Sequence, residues 1–280
     1  MIVGEAIRAA AARLAATSDT ARLDAELLMA HALGLSRSAM LLKAMRDPAP
    51  AGFAALVERR AAHEPVAYIT GIQEFYGRTF AVEPGVLIPR ADSETLILAA
   101  LAACPDPARV LDLGVGSGAL LLTLLAERPG AAGVGIDASP VALEVTGRNA
   151  AALEVEQRCT LHRRDWRQPD WAEDIGTFDL ILCNPPYVED DAPLDAQVRD
   201  FEPAGALFSG PEGLDDYRIL IPQMPHLLQE NGCAIVEIGA AQAERVAALA
   251  QAAGLASELR RDLAGRPRAL LLRRANCGTG

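Results

Sequence analysis

Residues 109–137, RVLDLGVGSGALLLTLLAERPGAAGVGID, decide the fold of this chain. The apolar run RVLDL leads directly into the glycine-rich turn GVGSG, and an Ala/Leu-rich helical segment follows the turn. A second apolar run then ends at Asp137. Short continuous apolar strands that alternate with helices are typical of a parallel sheet covered on both faces. The stretch therefore predicts two strands of such a sheet.

The same alternation continues over the rest of the chain from about residue 91. Apolar runs that predict strands lie at 109–113, 133–137, 159–162, 178–183 and 233–238. Helical segments are predicted at 118–128, 140–152, 216–229 and 240–253, and two further strands near 256–262 and 268–273. The pattern predicts an α/β fold with a doubly wound, mostly parallel, Rossmann-like sheet.

The first part of the chain, residues 1–72, shows only helical patterns. One helix is predicted to have its cap at Ser18 or Asp19 and its stop at Gly34. The apolar positions at helical spacing within it are Leu23, Leu27 and Leu28. We expect a small domain of several short helices.

Residues 73–90 change character, because apolar and polar residues alternate there around Gly77 and Pro84-Gly85. This alternation predicts a β-hairpin. The expected organisation is a helical domain, a hairpin linker and a sheet domain, at residues 1–72, 73–90 and 91–280.

Composition limits the classes of function. The 26 basic and 37 acidic side chains give a formal net charge of −11, which opposes binding to nucleic acid or to an anionic membrane. The apolar N-terminus carries Glu5, Arg8 and Arg13 at helical spacing, so it predicts an amphipathic helix and no signal peptide. Five cysteines without a CxxC pair suit a reducing cytoplasm, and four scattered histidines predict no metal site.

The glycine turn and Asp137 together predict a site for an adenosine-containing ligand. Glycines allow a tight turn and a close approach of backbone N–H groups, and Asp137 can accept hydrogen bonds from ribose hydroxyls. The turn does not fit a dinucleotide fingerprint, because its third glycine comes one residue early, and it is not a phosphate-binding P-loop. Gly-x-Gly-x-Gly after VLDL resembles the form found in S-adenosylmethionine-dependent methyltransferases. The predicted cofactor residues are Gly114, Val115, Gly116, Ser117, Gly118 and Asp137; the alternative is a turn that only packs strand against helix.

Trp166 follows the third strand of the predicted sheet. In the methyltransferase arrangement this region borders the adenine, so the indole ring could cover the base. The alternative is packing in the core or at its rim, which is common for tryptophan.

A stiff corner follows the strand at 178–183, in the stretch FDLILCNPPYVED, residues 178–190. Pro185 and Pro186 have no N–H to donate and fix their own φ, and Asn184 is restricted by the proline after it. The strand is predicted to be the fourth of the sheet and to lie beside the first. Asn184 should then lie next to the glycine turn, where ligands bind in doubly wound sheets.

The residue types of this corner suit methylation of an amide or exocyclic amino nitrogen, whose lone pair is delocalised. The side-chain oxygen of Asn184 and the carbonyl of Pro185 can each accept one N–H of a planar NH₂ group, which aims the nitrogen at the sulfonium methyl group. Tyr187 can stack on the planar acceptor, and Pro186 belongs to the substrate-binding corner. Asn184, Pro185 and Tyr187 are therefore the predicted catalytic residues, Asn184 also borders the cofactor, and the alternative is a simple turn.

The chain resembles the release-factor glutamine N5-methyltransferase (HemK-like) family over nearly its whole length. The resemblance rests on EPVAYITG (64–71), EFYG (74–77), VLIPR (86–90), DLGVGSG (112–118), NPPY (184–187), FEP (201–203), Ala206-Leu207, Gly213-Leu214, Tyr217-Arg218 and DLAGR (262–266). A mild departure is Ala91 with Asp92-Ser93-Glu94, where the family has a proline and Glu-Thr-Glu.

The resemblance implies methylation of the glutamine in the Gly-Gly-Gln motif of bacterial class-1 release factors, with S-adenosylmethionine as donor and S-adenosylhomocysteine as product. It implies a small N-terminal domain, which we expect to dock the protein substrate, and we expect a monomeric cytoplasmic enzyme. Three alternatives stay open: glutamine methylation of a ribosomal protein, amino-nitrogen methylation of DNA or RNA bases, and a non-catalytic binding module. The acidic net charge disfavours nucleic acid, and the linker pattern favours release factors over a ribosomal protein.

Overall fold

The computed structural model describes residues 1–275. The chain divides into two compact units, one formed by residues 1–72 with 194–201 and the other by 73–193 with the residues from 202 onward. Cys104, Cys159, Cys183 and Cys233 are free thiols, and Cys277 lies outside the described residues.

The helices run through both units. In chain order they are α1 (Val3–Leu14), α2 (Ala21–Leu33), α3 (Arg37–Ala39), α4 (Phe53–Ala61), α5 (Val66–Thr70), α6 (Glu94–Ala103), α7 (Ala119–Glu127), α8 (Pro140–Ala152), α9 (Ala196–Arg199), α10 (Asp215–Leu220), α11 (Met224–Leu227) and α12 (Ala243–Ala252). A π-helical turn spans Met40–Ala44, and 3₁₀ turns span Ala91–Ser93, Glu156–Arg158, Ala204–Ala206 and Ile221–Gln223.

The first unit is helical, as predicted, but its second helix differs in detail. The helix α2 begins at Ala21, and the predicted cap at Ser18 or Asp19 is wrong: the hydroxyls of Ser18 and Thr20 donate to the carboxylate of Asp24, at 2.7 and 2.9 Å. Asp24 also pairs with the buried Arg60 at 2.7 Å, so this carboxylate draws the hydroxyls toward it.

The apolar face of α2 also differs from the prediction. Leu28 is buried, but Leu23 and Leu27 are 42% and 36% exposed. Ala25 and Met29 fill the buried face instead. Gly34 ends the helix in the left-handed region at φ 64°, which confirms the predicted stop.

The strands form two sheets. A hairpin pairs β1 (Ile72–Phe75) with β2 (Arg78–Ala81), and the larger sheet contains β3 (Arg109–Leu113), β4 (Ala132–Asp137), β5 (Cys159–Arg163), β6 (Phe178–Cys183), β7 (Leu228–Glu237), β8 (Leu255–Arg261) and β9 (Pro267–Arg274). The order in the larger sheet is β5-β4-β3-β6-β7-β9-β8. All pairs from β5 to β7 are parallel, and β9 is antiparallel to both of its neighbours.

This topology confirms the predicted doubly wound sheet. In chain order β3 is the first strand of the larger sheet and β6 is the fourth. These two strands pair, so the direction in which strands are added to the sheet reverses between them. Helices cover both faces, and alternate residues of β6 enter the two cores: Leu180 and Leu182 one, Ile181 and Cys183 the other. The carboxyl ends of β3 and β6 therefore meet at the switch point of the sheet.

Two predicted elements before the last strands are wrong in their bounds. The helix predicted at 216–229 is divided into α10, a 3₁₀ turn and α11, because Pro222 and Pro225 each lack the N–H that a continuous helix needs. The strand predicted at 233–238 already begins at Leu228.

Within residues 1–275, no helix is long and apolar enough to cross a membrane.

Candidate active site

A cavity of about 290 Å³ opens in the second unit where β3, β4 and β6 end. Eight of the predicted site residues line it, namely Gly114, Val115, Gly116, Ser117, Asp137, Trp166, Asn184 and Pro186. Gly118, Pro185 and Tyr187 do not line the cavity. The strand order thus brings most of the predicted cofactor and substrate residues to one place, although they are spread over more than 70 positions of the sequence.

The glycine turn depends on conformations that other residues rarely adopt. Gly114, Gly116 and Gly118 have φ values of 81°, 57° and 83°. A Cβ at Gly118 would lie 2.6 Å from Cδ1 of Leu122, so this position packs the turn onto α7. At Gly116 the nearest heavy atom would be 3.9 Å away. The turn is therefore packed at its far end and open toward the cavity at Gly116.

Asp137 at the end of β4 is tied to the same turn. Its Oδ2 accepts a hydrogen bond from the Gly116 N–H at 3.0 Å, and its Oδ1 accepts one from the Ser139 N–H at 2.9 Å. Burial raises the pKa of this carboxyl, and the backbone N–H groups oppose that rise. Each oxygen keeps a lone pair with which it can accept a hydroxyl of a ligand.

Two buried polar residues on α8 support the turn, and the sequence analysis missed both. The Thr146 hydroxyl donates to the Gly116 carbonyl at 2.9 Å. Asn149 donates from Nδ2 to the Ser117 carbonyl at 2.8 Å and to the Ala81 carbonyl at 3.0 Å. Their only sequence signal is a polar side chain on a helix that packs against the sheet. Asn149 thereby joins the turn to the hairpin strand β2.

Asp112 is a second carboxylate on the cavity that the site prediction left out. The residue is 1% exposed, and its Oδ2 accepts a long hydrogen bond from the Leu121 N–H at 3.3 Å. Its Oδ1 has no partner within residues 1–275. Burial raises the pKa of Asp112 well above its usual range. A buried carboxylate oxygen without a partner is costly, so this oxygen is suited to accept from a ligand.

The indole ring of Trp166 is held on one side of the cavity. Its Nε1 donates to Oδ1 of Asp216 at 2.7 Å, and the ring lies close to Gly114, where a Cβ would come within 3.3 Å of it. Asp216 is fully buried and also accepts from Arg167 at 2.9 Å and from the Ser209 hydroxyl at 2.7 Å. These contacts fix the plane of the indole ring.

The proline corner, residues 184–187, follows β6 directly. Asn184 lines the cavity, and its side-chain amide makes no hydrogen bond to any group in residues 1–275. Pro185 and Pro186 are buried. The carbonyl oxygen of Asn184 lies 3.9 Å from the position of a Cβ at Gly114, so the corner and the glycine turn are neighbours.

Tyr187 does not line the cavity, and its side chain belongs to a polar network. Its hydroxyl donates to Oε1 of Glu237 at 3.0 Å. Burial and the negative charge of Glu237 raise the pKa of Tyr187 far above its usual value, so the phenol stays protonated. Its carbonyl accepts from the Gln242 amide at 2.9 Å, and its N–H donates to the Leu207 carbonyl at 3.1 Å.

The rim of the cavity comes from segments that the family resemblance singled out. Arg90 lines the cavity and forms an ion pair with the buried Glu202, which also accepts from the Ile88 N–H at 3.0 Å. Further rim residues are Val86, Leu87, Pro89, Ser93, Pro203 and Ala206. Within residues 1–275, no cluster of His, Cys, Asp or Glu could hold a metal ion.

Two family models match the chain. Residues 5–71 match the PrmC N-terminal domain, and residues 78–206 match the methyltransferase small domain. The second match contains the glycine turn, Asp137, Trp166 and the proline corner.

Three curated relatives all carry the name release factor glutamine methyltransferase. The protein of Cereibacter sphaeroides is 46% identical over 277 residues, which cover 96% of this chain and 97% of the relative. That of Rhodospirillum rubrum is 45% identical over 264 residues, which cover 92% and 80%. That of Geobacter sulfurreducens is 42% identical over 235 residues, which cover 81% and 80%.

These similarities extend over both units, and the second family model includes every cavity-lining residue except Phe75. They confirm the resemblance seen in the sequence, and they make the protein an enzyme of the methyltransferase class. The chain belongs to the release factor glutamine methyltransferase family.

Proposed function

We propose that this protein transfers a methyl group from S-adenosylmethionine to the side-chain amide nitrogen of the glutamine in the Gly-Gly-Gln motif of bacterial class-1 release factors. The observation that carries the proposal is the unpartnered side-chain amide of Asn184, which lies on a cavity beside the glycine turn. The names of relatives at 42–46% identity support this acceptor.

The cavity contains groups that fit the cofactor. Asp137 keeps free lone pairs for the ribose hydroxyls, and Gly116 has no side chain that would fill the space beside it. The unpartnered Oδ1 of Asp112 suits the ammonium group of the methionine part, and the fixed ring of Trp166 suits the adenine. When bound, the cofactor would supply a methyl group on a positively charged sulfonium.

Asn184 and Pro185 would orient the acceptor. An amide nitrogen is a poor nucleophile because its lone pair is delocalised, so its position relative to the methyl group matters more than its basicity. The Asn184 side-chain oxygen would accept one N–H of the substrate amide. The Pro185 carbonyl, to which no residue in 1–275 donates, would accept the other. Both oxygen dipoles would stabilise the positive charge that develops on nitrogen.

The proton needs no strong base, because the methylated nitrogen is acidic and can release it to water after transfer. Tyr187 is unsuited to be that base, because its hydroxyl already donates to Glu237 and its pKa is raised. We propose for Tyr187 a role in shaping the corner and in contact with the planar acceptor.

The two units would have different roles. We propose that residues 1–72 dock the protein substrate, that the segment 73–90 connects the domains, and that residues 91–280 carry out methyl transfer. Because the proposed substrate is a translation factor, the reaction belongs in the cytoplasm.

The test is methyl transfer with labelled S-adenosylmethionine. The protein is mixed in parallel with a purified release factor, a ribosomal protein fraction and DNA, and the label is located by peptide mass spectrometry. We expect the label on the Gly-Gly-Gln glutamine, and none on a release factor in which that glutamine is replaced by alanine. Label on the ribosomal proteins or on DNA, with none on the release factor, would overturn the proposal.

A further inference from the structure

Hydrogen bonds of Tyr187 connect the proline corner to the rest of the second unit. Three contacts hold this residue: its hydroxyl to Glu237, its carbonyl to Gln242 and its N–H to the Leu207 carbonyl. Two of them come from side chains that lie 50 and 55 positions further along the chain. The corner is therefore anchored by residues that touch no part of the cavity.

Glu237 is buried at the end of β7, the strand that pairs with β6. Burial raises the pKa of this carboxyl, while its hydrogen bond with Tyr187 and the charge of Arg268 oppose the rise. The backbone carbonyl of Glu237 accepts from the hydroxyl of the fully buried Tyr217 at 2.7 Å. Its main chain is thus fixed independently of Tyr187, so the carboxylate presents a stationary acceptor.

Gln242 also fixes the position of Tyr187, and both the nitrogen and the oxygen of its side-chain amide form hydrogen bonds. Its Nε2 donates to the carbonyls of Tyr187 at 2.9 Å and Gly213 at 3.1 Å, and its Oε1 accepts from the Gly239 N–H at 2.9 Å. A Cβ at Gly213 would lie 2.3 Å from the Tyr187 carbonyl oxygen, so the Gly213 loop is packed directly on the corner. A fully satisfied buried amide of this kind is rigid.

The proline corner depends on these contacts because its two prolines make no backbone hydrogen bonds within residues 1–275. Pro185 and Pro186 have no N–H, and no residue in 1–275 donates to their carbonyls. The last backbone pairing before them is that of Cys183 in β6. The next fixed point is Tyr187. A misplacement of about 1 Å at a reacting group can cost on the order of 10² in rate.

We propose that Glu237 and Gln242 are positioning residues for methyl transfer, which act by fixing Tyr187 and through it the Asn184 amide and the Pro185 carbonyl. The inference rests on the proposed function, because it assumes that these two groups hold the acceptor nitrogen. It assigns the Tyr187 hydroxyl to orientation of the corner through Glu237.

The experiment compares single-turnover methyl transfer to a release factor in Tyr187→Phe, Glu237→Leu, Glu237→Gln and the double variant Tyr187→Phe/Glu237→Leu. Cofactor affinity by calorimetry and thermal stability are measured for each protein. We expect Tyr187→Phe and Glu237→Leu each to slow transfer by about 10- to 100-fold, with a change in cofactor affinity of less than about threefold. The double variant should be no slower than the slower single variant, because both changes remove the same hydrogen bond.

Glu237→Gln keeps an acceptor oxygen and should stay within about threefold of the parent rate, since a neutral acceptor still bonds the phenol. Gln242→Leu should slow transfer, whereas Gln223→Leu is the matched control. Within residues 1–275 the Gln223 side chain bonds only the carbonyl of Ile219, four positions earlier, so its loss should leave the rate unchanged. A rate loss in Gln223→Leu equal to that in Gln242→Leu would contradict the inference.

Parent-like transfer by Tyr187→Phe, or effects of the two single changes that multiply in the double variant, would overturn the inference. Should Glu237→Leu fail to fold, Tyr187→Phe and Glu237→Gln still decide the matter. The parent enzyme is measured first: if it does not methylate the release factor, the proposed function fails, and the series is repeated on whichever acceptor carries the label.

Discussion

The side-chain amide of Asn184 has no partner within residues 1–275, so its removal leaves no buried group unsatisfied. We therefore expect Asn184→Ala to keep the fold and most of the cofactor affinity, since Asp137 and the glycine turn are untouched. Methyl transfer should fall by about 10²–10³, the usual cost of removing one oriented group at a developing charge. The measurement is single-turnover methylation of a release factor at saturating cofactor. Transfer at the parent rate would show that the corner is only a turn.

Asp137 should act on cofactor binding and not on the chemical step. Asp137→Ala removes the carboxylate that we propose for the ribose, so binding of S-adenosylmethionine should weaken by about 1.5–3 kcal/mol. Because S-adenosylhomocysteine carries the same ribose, its affinity should fall in parallel. The change also leaves the N–H groups of Gly116 and Ser139 without their acceptor. Calorimetry with both ligands measures this. An unchanged affinity would remove Asp137 from the site.

The prediction that Asp137 belongs with the glycine turn depended on proximity in sequence. The glycine turn and Asp137 stand within one strand–helix–strand stretch, so their association could be deduced from spacing alone. Asp216 and Glu237 could not be deduced in this way, because each bonds its partner, Trp166 or Tyr187, from 50 positions away. Nothing in a local pattern marks a buried acidic residue as the partner of a particular ring.

At the scale of one helix, Glu26 on α2 predicts a pH-dependent stability. Burial by itself would raise the pKa of Glu26, but hydrogen bonds from Arg22 and Arg37 outweigh burial and lower it. The folded state therefore prefers the ionised carboxylate. Its contribution is present above the usual glutamate pKa of about 4.3 and is lost as pH falls through the lower folded value.

Glu26→Gln should accordingly lower the free energy of unfolding at pH 7 by about 1 kcal/mol, a modest value because both arginines are half exposed. The difference should be smaller at about pH 4, below the usual glutamate pKa, than at pH 7. Urea unfolding at the two pH values measures both. Glu58→Gln is the control, because its pair with Arg13 is exposed on both sides and should contribute little. An equal loss at both pH values would contradict this account.

Strands and helices were predictable where one pattern ran without interruption. The strands β3, β4 and β6 and the helix α8 agree with their predicted bounds within one residue, because apolar runs and a proline at the helix start mark them. The predicted helix at 216–229 failed at its prolines. The cap of α2 failed because the buried pair of Asp24 and Arg60, which lie 36 positions apart, determines where the nearby hydroxyls point.

At the scale of the whole molecule, four exposed leucines lie in the first unit, and two, Leu98 and Leu263, lie in the second, within residues 1–275. In the first unit Leu42 is 82% exposed, and Leu23, Leu27 and Leu35 are partly exposed as well. If this unit docks the protein substrate, Leu42→Asp should raise the KM for a whole release factor by about tenfold, the value of one lost leucine contact. Cofactor affinity and thermal stability should not change.

Leu98→Asp is the matched control for Leu42→Asp, because Leu98 is an exposed leucine of the second unit, at 52%. Point substitutions are preferable to deletion of residues 1–72, since the segment 194–201 packs with that unit and would lose its partner. An equal rise in KM for both variants would argue against a docking role specific to the first unit.

The sequence did not predict that residues 194–201 belong to the first unit, because more than 120 positions separate this segment from the helices that it joins.

The chain contains two tryptophans in very different surroundings. Trp166 is half buried on the cavity, whereas Trp171 is 4% exposed in the core. The protein should therefore carry an intrinsic fluorescent reporter of ligand binding. Adenine stacked on the Trp166 ring should quench its emission, so titration of Trp171→Phe with S-adenosylhomocysteine should dim nearly all of the signal. Emission from Trp166→Phe should stay constant during the same titration.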